Sequence, residues 1–491
     1  MKKTVVVIGA GLGGLSAAIS LANKGFAVKM YEKNNHVGGK LLSVKSGSYT
    51  FDFGPNTITM PHVFQAFIAN TGANPDDYFS FVKLGVHTRN HFSDGSSFEM
   101  SSNKEAVIEQ LKQLDPFAAK RFPAYLMETK RIYNLANQHF FYRNFRSWKD
   151  YLAPSLAKAF MQVRPLQSLD QFHRNYFQNE EVLKAFNRYA TYIGSSPYLT
   201  PATFSLISHL ELEDGVYFAK DGNHTIATGL ARRAKELGVE FYLNTGVKKI
   251  LATKNKATAI LLENGQQIKA DYIVANGDLI SSYQNLIAEK DRRHFSNKKI
   301  AKVEPSISAF VILVGLKRRL PNLIHHQVYF SDEYEAEFQD IFRDGRYSDD
   351  PTIYICNSSH TDQTRSPDGD NLFILVNAPA LKNDGSLQID PELYKQRIYT
   401  ILENKGLALK GDIVFEEVIT PLDIQQRFSA FRGALYGLAS NGLLNSFLRP
   451  ANRSKDIKNL FFCGGSTHPG GGSPMVVISG QNVARMIAEF E

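Results

Sequence analysis

The chain of 491 residues is 43% hydrophobic and 21% charged, with a formal charge of +8 and two cysteines, enough chain for two or more core-forming units. Cys356 and Cys463 stand far apart and in no CxxC arrangement, which predicts neither a disulfide framework nor a zinc site and fits a reducing interior. Met1-Lys2-Lys3 leads straight into a strand-like run, so no secretory leader is expected, and the longest apolar run, about Ile307 to Leu316, is far short of the roughly 20 residues that span a bilayer. The basic balance comes without a zinc finger, an RNA-binding aromatic signature or a basic recognition helix, so nucleic acid is not an expected partner.

Val5, Val6, Val7 and Ile8 read as a parallel strand buried on both faces. The loop from Gly9 to Gly14, with Ala10, Gly11 and Gly13 inside it, then turns into a helical pattern of Leu15, Ala18, Ile19 and Ala22 that stops at Gly25. In this arrangement Gly9 permits the turn, Gly11 lets backbone approach a diphosphate, and Gly14 lets helix pack on strand. Ala27 to Tyr31 is the second strand, with Glu32 at its tip to accept from ribose hydroxyls and disfavour a 2′-phosphate. The helix N-terminus offers free N–H groups to the diphosphate. A dinucleotide site is therefore predicted here.

The run after Glu32, from Lys33 through Gly38, Gly39 and Lys40, resembles the second fingerprint of the flavin amine oxidase and carotenoid desaturase superfamily. The resemblance implies FAD, with Gly39 giving backbone access to the phosphate side and Lys40 a cation beside it. Phe51-Asp52-Phe53-Gly54-Pro55 extends it, placing Gly54 and Pro55 close to the flavin.

Further on, Asn90 to Met100 reads as a hairpin around Asp94-Gly95, and Lys104 to about Ser208 reads as helical. Within that block Lys130, Arg131, Arg143, Arg146, Lys149 and Lys158 alternate with Tyr133, Phe140, Phe141, Tyr142, Phe145, Trp148 and Tyr151. Asp150 is the single acid among them. Such a segment suits a peripheral membrane interface, and equally a helical unit whose rings form its own core; the expected substrate favours the membrane. A helix over Thr225 to Gly238, a strand over Val239 to Leu243, and a meander from Val247 to Ala270 turning at Lys254-Asn255 and Asn264-Gly265 follow. By the same resemblance Val247 offers backbone bonds to adenine. Asp271 to Gly277 is a further buried strand ending in a glycine turn. Ala309 to Leu316, His326 to Phe330, Thr352 to Cys356 and Leu372 to Asn377 are the strands of a second unit.

At the C-terminal end, Leu460 to Phe462 form a buried strand, Gly464 and Gly465 open a turn, and Pro469 to Gly472 leave room for a flat ring against backbone. The helix beginning at Met475 and Val476 can point N–H groups at a reduced flavin.

These motifs, with Tyr192 to Pro197, Phe431 to Gly437 and Phe447 to Pro450, resemble the bacterial phytoene desaturase family. That family includes diapophytoene desaturases and diapolycopene or diaponeurosporene oxygenases. The fold implied is α/β: a Rossmann-like FAD-binding domain in three pieces (1–100, 214–290 and 451–491), a helical substrate and membrane-contact subdomain (101–213), and a mixed-sheet substrate domain (291–450). The activity implied is an FAD-dependent desaturation of an acyclic carotenoid by hydride transfer, with oxygen or a quinone as electron acceptor. The location implied is cytoplasmic, on the inner face of the cell membrane. Thr467-His468-Pro469 leans towards the desaturases, while Pro469 to Gly472, Pro474 to Val476 and Gly194 to Tyr198 lean towards the terminal oxygenases, so oxidation of the polyene end is the alternative. Two other classes carry the same fold: an amine oxidase, for which Cys463 is the one cysteine near the flavin motifs, and a non-enzymatic isoprenoid carrier. His87, Arg89, His91 and His468 are candidate proton handlers for which a structural role weighs more, and no residue is assigned as catalytic.

Overall fold

Three distant stretches of chain meet in one parallel sheet. Its strands run in the order Leu460–Phe462, Tyr272–Ala275, Thr4–Ile8, Ala27–Tyr31 and Glu240–Tyr242, all parallel to their neighbours. This is a computed structural model, and it describes residues 2–145, 149–150 and 153–491. Val5, Val6 and Val7 are wholly buried in the central strand, because helices cover one face of it and a second layer covers the other. On the first face the helices Leu12–Asn23 and Ser473–Ala488 lie against each other, and Ser16 Oγ donates to the Val477 carbonyl at 2.7 Å. On the other lies an antiparallel meander of Val247–Thr253, Lys256–Leu262 and Gln267–Lys269. Its first turn has Lys254 and Asn255 both at positive φ, the backbone that matches a two-residue hairpin to strand twist.

The second unit is built on a seven-stranded sheet ordered Ile413–Ile419, Ser308–Leu316, Asn371–Ala378, Ile353–Asn357, His326–Tyr329, Val86–His91 and Ser97–Ser101. The four expected strands are there. Two features differ from the sequence reading. Ile413–Ile419 is a strand that its mixed pattern of Glu416 and Glu417 concealed. The hairpin of Val86–His91 and Ser97–Ser101, placed by sequence in the first nucleotide-binding piece, instead extends this sheet, with Val86–His91 parallel to His326–Tyr329. An open sheet edge leaves backbone groups unpaired, and the hairpin satisfies them. The first boundary near residue 100 therefore moves upstream.

Helices fill most of residues 104–214. Aromatic side chains make their core: Tyr125 is buried among Phe122, Phe172, Phe177 and Phe186. Part of the basic aromatic segment joins that interior. Phe140 is buried, and the carbonyls of Phe141 and Tyr142 accept from Asn482 and Arg485 of the C-terminal helix. Arg131 pairs with Glu128 at 2.8 Å, an acid just outside the segment. Arg146, Trp148 and Tyr151 lie outside the described residues. No described helix is long and apolar enough to cross a membrane.

Candidate active site

One cavity of about 860 Å³ runs from the carboxyl ends of the parallel strands to the face of the seven-stranded sheet. Gly9, Gly11, Glu32, Lys33, Gly39, Lys40, Gly54, Pro55, Val247, Gly464, Gly465, Met475 and Val476 all line it. Residues from both ends of the chain thus share one wall, as a single cofactor spanning them requires. Ala10, Gly13 and Gly14 do not reach it. Ala10 N–H donates to Glu32 Oε2 at 2.8 Å. A side chain on Gly13 would strike Asn276 Oδ1 at 2.6 Å, and one on Gly14 would strike the carbonyl of Gly9. Both are packing positions, as the sequence implies for Gly14 alone. Gly9 turns the chain at φ +93°, a region costly for any residue with a Cβ.

The donors around this cavity fit a flavin dinucleotide. Helix Leu12–Asn23 begins at Gly11 and helix Ser473–Ala488 at Gly472, and neither first turn is capped by a side chain. Two sets of orphan N–H groups and two positive dipole ends therefore meet the same cavity, one suited to a diphosphate and one to the electron-rich pyrimidine edge. Glu32 is buried at the tip of its strand, with Oε1 accepting from the Asn34 N–H at 2.9 Å; each oxygen keeps a lone pair for a ribose hydroxyl. Lys40 departs from expectation. Its ammonium donates to the Leu435 carbonyl at 2.5 Å and so ties the 434–435 backbone across the cavity. Burial lowers its pKa to about 8, with Asp278 opposing. Lys33 likewise reaches across, to the Gln426 carbonyl and Ser429 Oγ.

Beyond the flavin region the cavity is walled by side chains such as Phe204, Ile207, Leu210, Ile307 and Leu375. In that apolar wall lies a polar group that sequence reading missed. Arg188 is 8% exposed. Its Nη1 donates to Tyr192 Oη at 3.0 Å, and its guanidinium carbon lies 5.2 Å from the Tyr192 ring and 5.3 Å from that of Tyr354, within cation–π range. All three line the cavity. Behind Tyr192 stands Glu211, 1% exposed, with the phenols of Tyr189 and Tyr192 turned towards it. Burial raises its pKa to about 7 against the field of Arg188. Tyr354 comes from a strand more than 160 positions after Arg188, and no local motif marks Arg188 or Glu211.

The four candidate proton handlers are structural. His87 is buried beside Thr88 and Glu211, Arg89 pairs with Glu99 at 2.7 Å, His91 bonds Gln327 at 2.7 Å, and His468 bonds the Phe140 carbonyl at 2.9 Å. None lines the cavity. Cys463 is also buried behind the wall, beside Asn276, so the covalent tether weighed for an amine oxidase has no thiol facing the site.

Glu211 and the equally buried Glu337, whose carboxyl is also raised to about 7 by burial, predict a pH effect on stability. Each holds its proton in the folded chain at pH values where the unfolded chain, near its ordinary 4.5, has released it. Stability from each carboxyl is therefore full below about pH 4.5 and is lost as pH rises towards 7, by roughly 3 kcal/mol per group at most. Denaturant melts of the wild type and Glu211→Gln, taken from pH 4.5 to 7.5, should diverge with pH, the wild type losing relative stability. Parallel curves would contradict the assignment.

An α/β nucleotide fold in three pieces, closed over a mixed sheet, defines a flavin-dependent oxidoreductase. The profile of flavin containing amine oxidoreductases matches residues 12–488, and the chain belongs to this family. It is an FAD-dependent enzyme. It is 36% identical over 492 residues to a 4,4′-diapolycopene oxygenase of Methylomonas sp, covering 99% of this chain and 98% of that protein. It is 31% identical over 497 residues to a 4,4′-diaponeurosporene oxygenase of Staphylococcus haemolyticus (strain JCSC1435), covering 100% and 98%. Among solved structures, it resembles cyclohexylamine oxidase from Brevibacterium oxydans IH-35A with a TM-score of 0.63 at 15% identity, covering 100% of this chain and 99% of that one. An oxidoreductase from Methanosarcina mazei gives 0.64 at 16%, covering 99% and 100%. These two likenesses are of fold.

Proposed function

We propose that the chain is a carotenoid terminal oxygenase, oxidising the end carbon of an acyclic diapocarotenoid to an aldehyde. The desaturation placed first on sequence gives way to this reading. The observation that carries it is Arg188: a buried guanidinium facing an apolar cavity has nothing to recognise in a hydrocarbon, and burying it there is costly unless an oxygen receives its hydrogen bonds. The names of the two oxygenase relatives point the same way. FAD, when bound, supplies the two-electron acceptor. The chain does the rest. Apolar walls hold the polyene and exclude water, Arg188 and Tyr192 hold the terminal oxygen, and the proton released as an alcohol becomes an aldehyde passes through Tyr192 Oη to Glu211. Taken from an end methyl group, the reaction balances as R–CH3 + O2 giving R–CHO + H2O. One atom of dioxygen, the co-substrate, becomes the aldehyde oxygen and the other leaves as water. The four electrons lost by the end carbon are those that reduce dioxygen, with FAD carrying the pair released in the alcohol step.

The experiment is product analysis. FAD-loaded protein is incubated in liposomes with a C30 polyene hydrocarbon, with the corresponding terminal alcohol, and with an amine. Aldehyde formed from the first two supports the proposal; a new double bond without oxygen, or peroxide from the amine alone, contradicts it.

We place the enzyme on the inner membrane face, at a patch where its helical subdomain meets the segment 442–448. Support comes from exposed Leu199, Leu444 and Leu448, brought together by the Gly442 N–H bond to the Leu199 carbonyl, with exposed Met161 and Lys158 on the adjoining helix Pro154–Gln162. Apolar side chains flanked by cations suit an anionic lipid interface. Changing Leu199, Leu444 and Leu448 together to Ser should move most of the protein from the liposome pellet to the supernatant. Unchanged sedimentation would refute this docking face.

A further inference from the structure

One pleat beyond the cavity wall lies a set of metal-ligand atoms that the mechanism does not use. His326 and Cys356 are direct cross-strand partners in the antiparallel pair His326–Tyr329 and Ile353–Asn357, which places their side chains on one face. His325 folds its ring onto that of His326, with centroids 4.5 Å apart and planes at 72°. One ligand atom from each of His325, His326 and Cys356 lies within 4.8 Å of the other two. All three residues are almost completely buried, at 1%, 1% and 3% exposure.

Each ring is held through Nδ1, and where Nδ1–H donates to its hydroxyl partner, Nε2 is left open to a metal. His325 Nδ1 is bonded to Thr361 Oγ1 at 2.6 Å, and His326 Nδ1 to Tyr354 Oη at 2.9 Å. The opposite nitrogen, Nε2, of each ring is buried and has no hydrogen-bond partner. Fixing a ring through one nitrogen and leaving the other bare is how proteins set the tautomer of a ligating histidine. Leaving two such nitrogens buried and empty would cost desolvation twice over.

We propose that His325 Nε2, His326 Nε2 and Cys356 Sγ bind one monovalent copper ion. Two imidazoles and a thiolate form a soft donor set that copper satisfies with three ligands. Charge selects the oxidation state. A thiolate with Cu(I) is neutral, whereas a divalent ion would bury a net positive charge. The surroundings add no compensating anion: Asp52, whose field reaches His325 and Cys356, is already paired with Arg365 at 2.9 Å, and Arg188 and His87 face His326. On loading, the Cys356 S–H bond breaks, its proton leaves to solvent, and an S–Cu bond forms with no change in oxidation state. The ion would fasten the segment before His326–Tyr329 to Ile353–Asn357, next to the Tyr354 that walls the cavity.

The test uses full-length FAD-loaded protein under anaerobic conditions. Cu(I) is offered from a coloured bathocuproine complex, and Zn(II) in a parallel sample. The expected result is one copper retained per chain, a higher melting temperature with copper, and copper affinity weakened about tenfold or more in Cys356→Ser and in His326→Gln. Cys463→Ser, which alters the other thiol, should retain full copper. A folded wild type that takes no copper from the complex, copper held equally by Cys356→Ser, or stoichiometric zinc with copper excluded would each overturn the proposal. Should the variants lose their flavin spectrum, the wild-type stoichiometry and melting shift still decide it.

Discussion

Arg188→Met should lower kcat/KM on a polyene with an alcohol end by about 10- to 100-fold, the loss expected when a charge-assisted hydrogen bond worth about 1.5–3 kcal/mol disappears from a dry site. Methionine keeps the length and apolar stem of arginine, so the wall stays filled. No buried anion is stranded either, because Glu211 already titrates near 7 and can take up a proton when the guanidinium is gone. FAD content should be unchanged, since Arg188 stands among Tyr192, Tyr354 and Glu211 and not among the glycines that open the chain. Arg188→Lys should recover part of the loss: the charge returns without the planar fork. A methionine variant with wild-type turnover of the alcohol would remove the main reason for assigning an oxygenated end group.

The second large effect is on cofactor retention. Glu32→Ala should weaken FAD binding by about 10- to 100-fold, the same magnitude of charged hydrogen bond lost at the ribose. The change also strips the Ala10 N–H of its acceptor inside the loop, so the turn loosens where the diphosphate must sit. Flavin absorbance per mole of purified protein reads this directly. Glu32→Gln, which keeps a carbonyl acceptor, should fall between wild type and alanine. Full flavin occupancy in the alanine variant would move the ribose contact elsewhere.

What could be read from the residues themselves follows from how local each signal is. Gly9 to Gly14, Glu32 to Lys40 and Gly464 to Val476 are short stretches in which spacing implies geometry, and the structure gathers them at one cavity. Lys40 shows the limit of that reading, because its partner is a backbone carbonyl nearly four hundred residues away. The polar end of the cavity is illegible for the same reason: Arg188 stands just outside the Tyr192 to Pro197 motif and looks like an ordinary helix residue until the strand bearing Tyr354 crosses beside it. The turn at Asp94-Gly95 marks a hairpin, but its sheet is decided by the free edge of His326–Tyr329. The expectation of no zinc site rests on CxxC spacing, a local pattern that does not register His326 set opposite Cys356 across two strands.

The most direct measurement is the product made by purified, FAD-loaded protein from a C30 polyene hydrocarbon under air. The expected product is a conjugated aldehyde at the chain end, with flavin bleaching when oxygen is withheld and the alcohol is supplied. A longer polyene that contains no oxygen would contradict it.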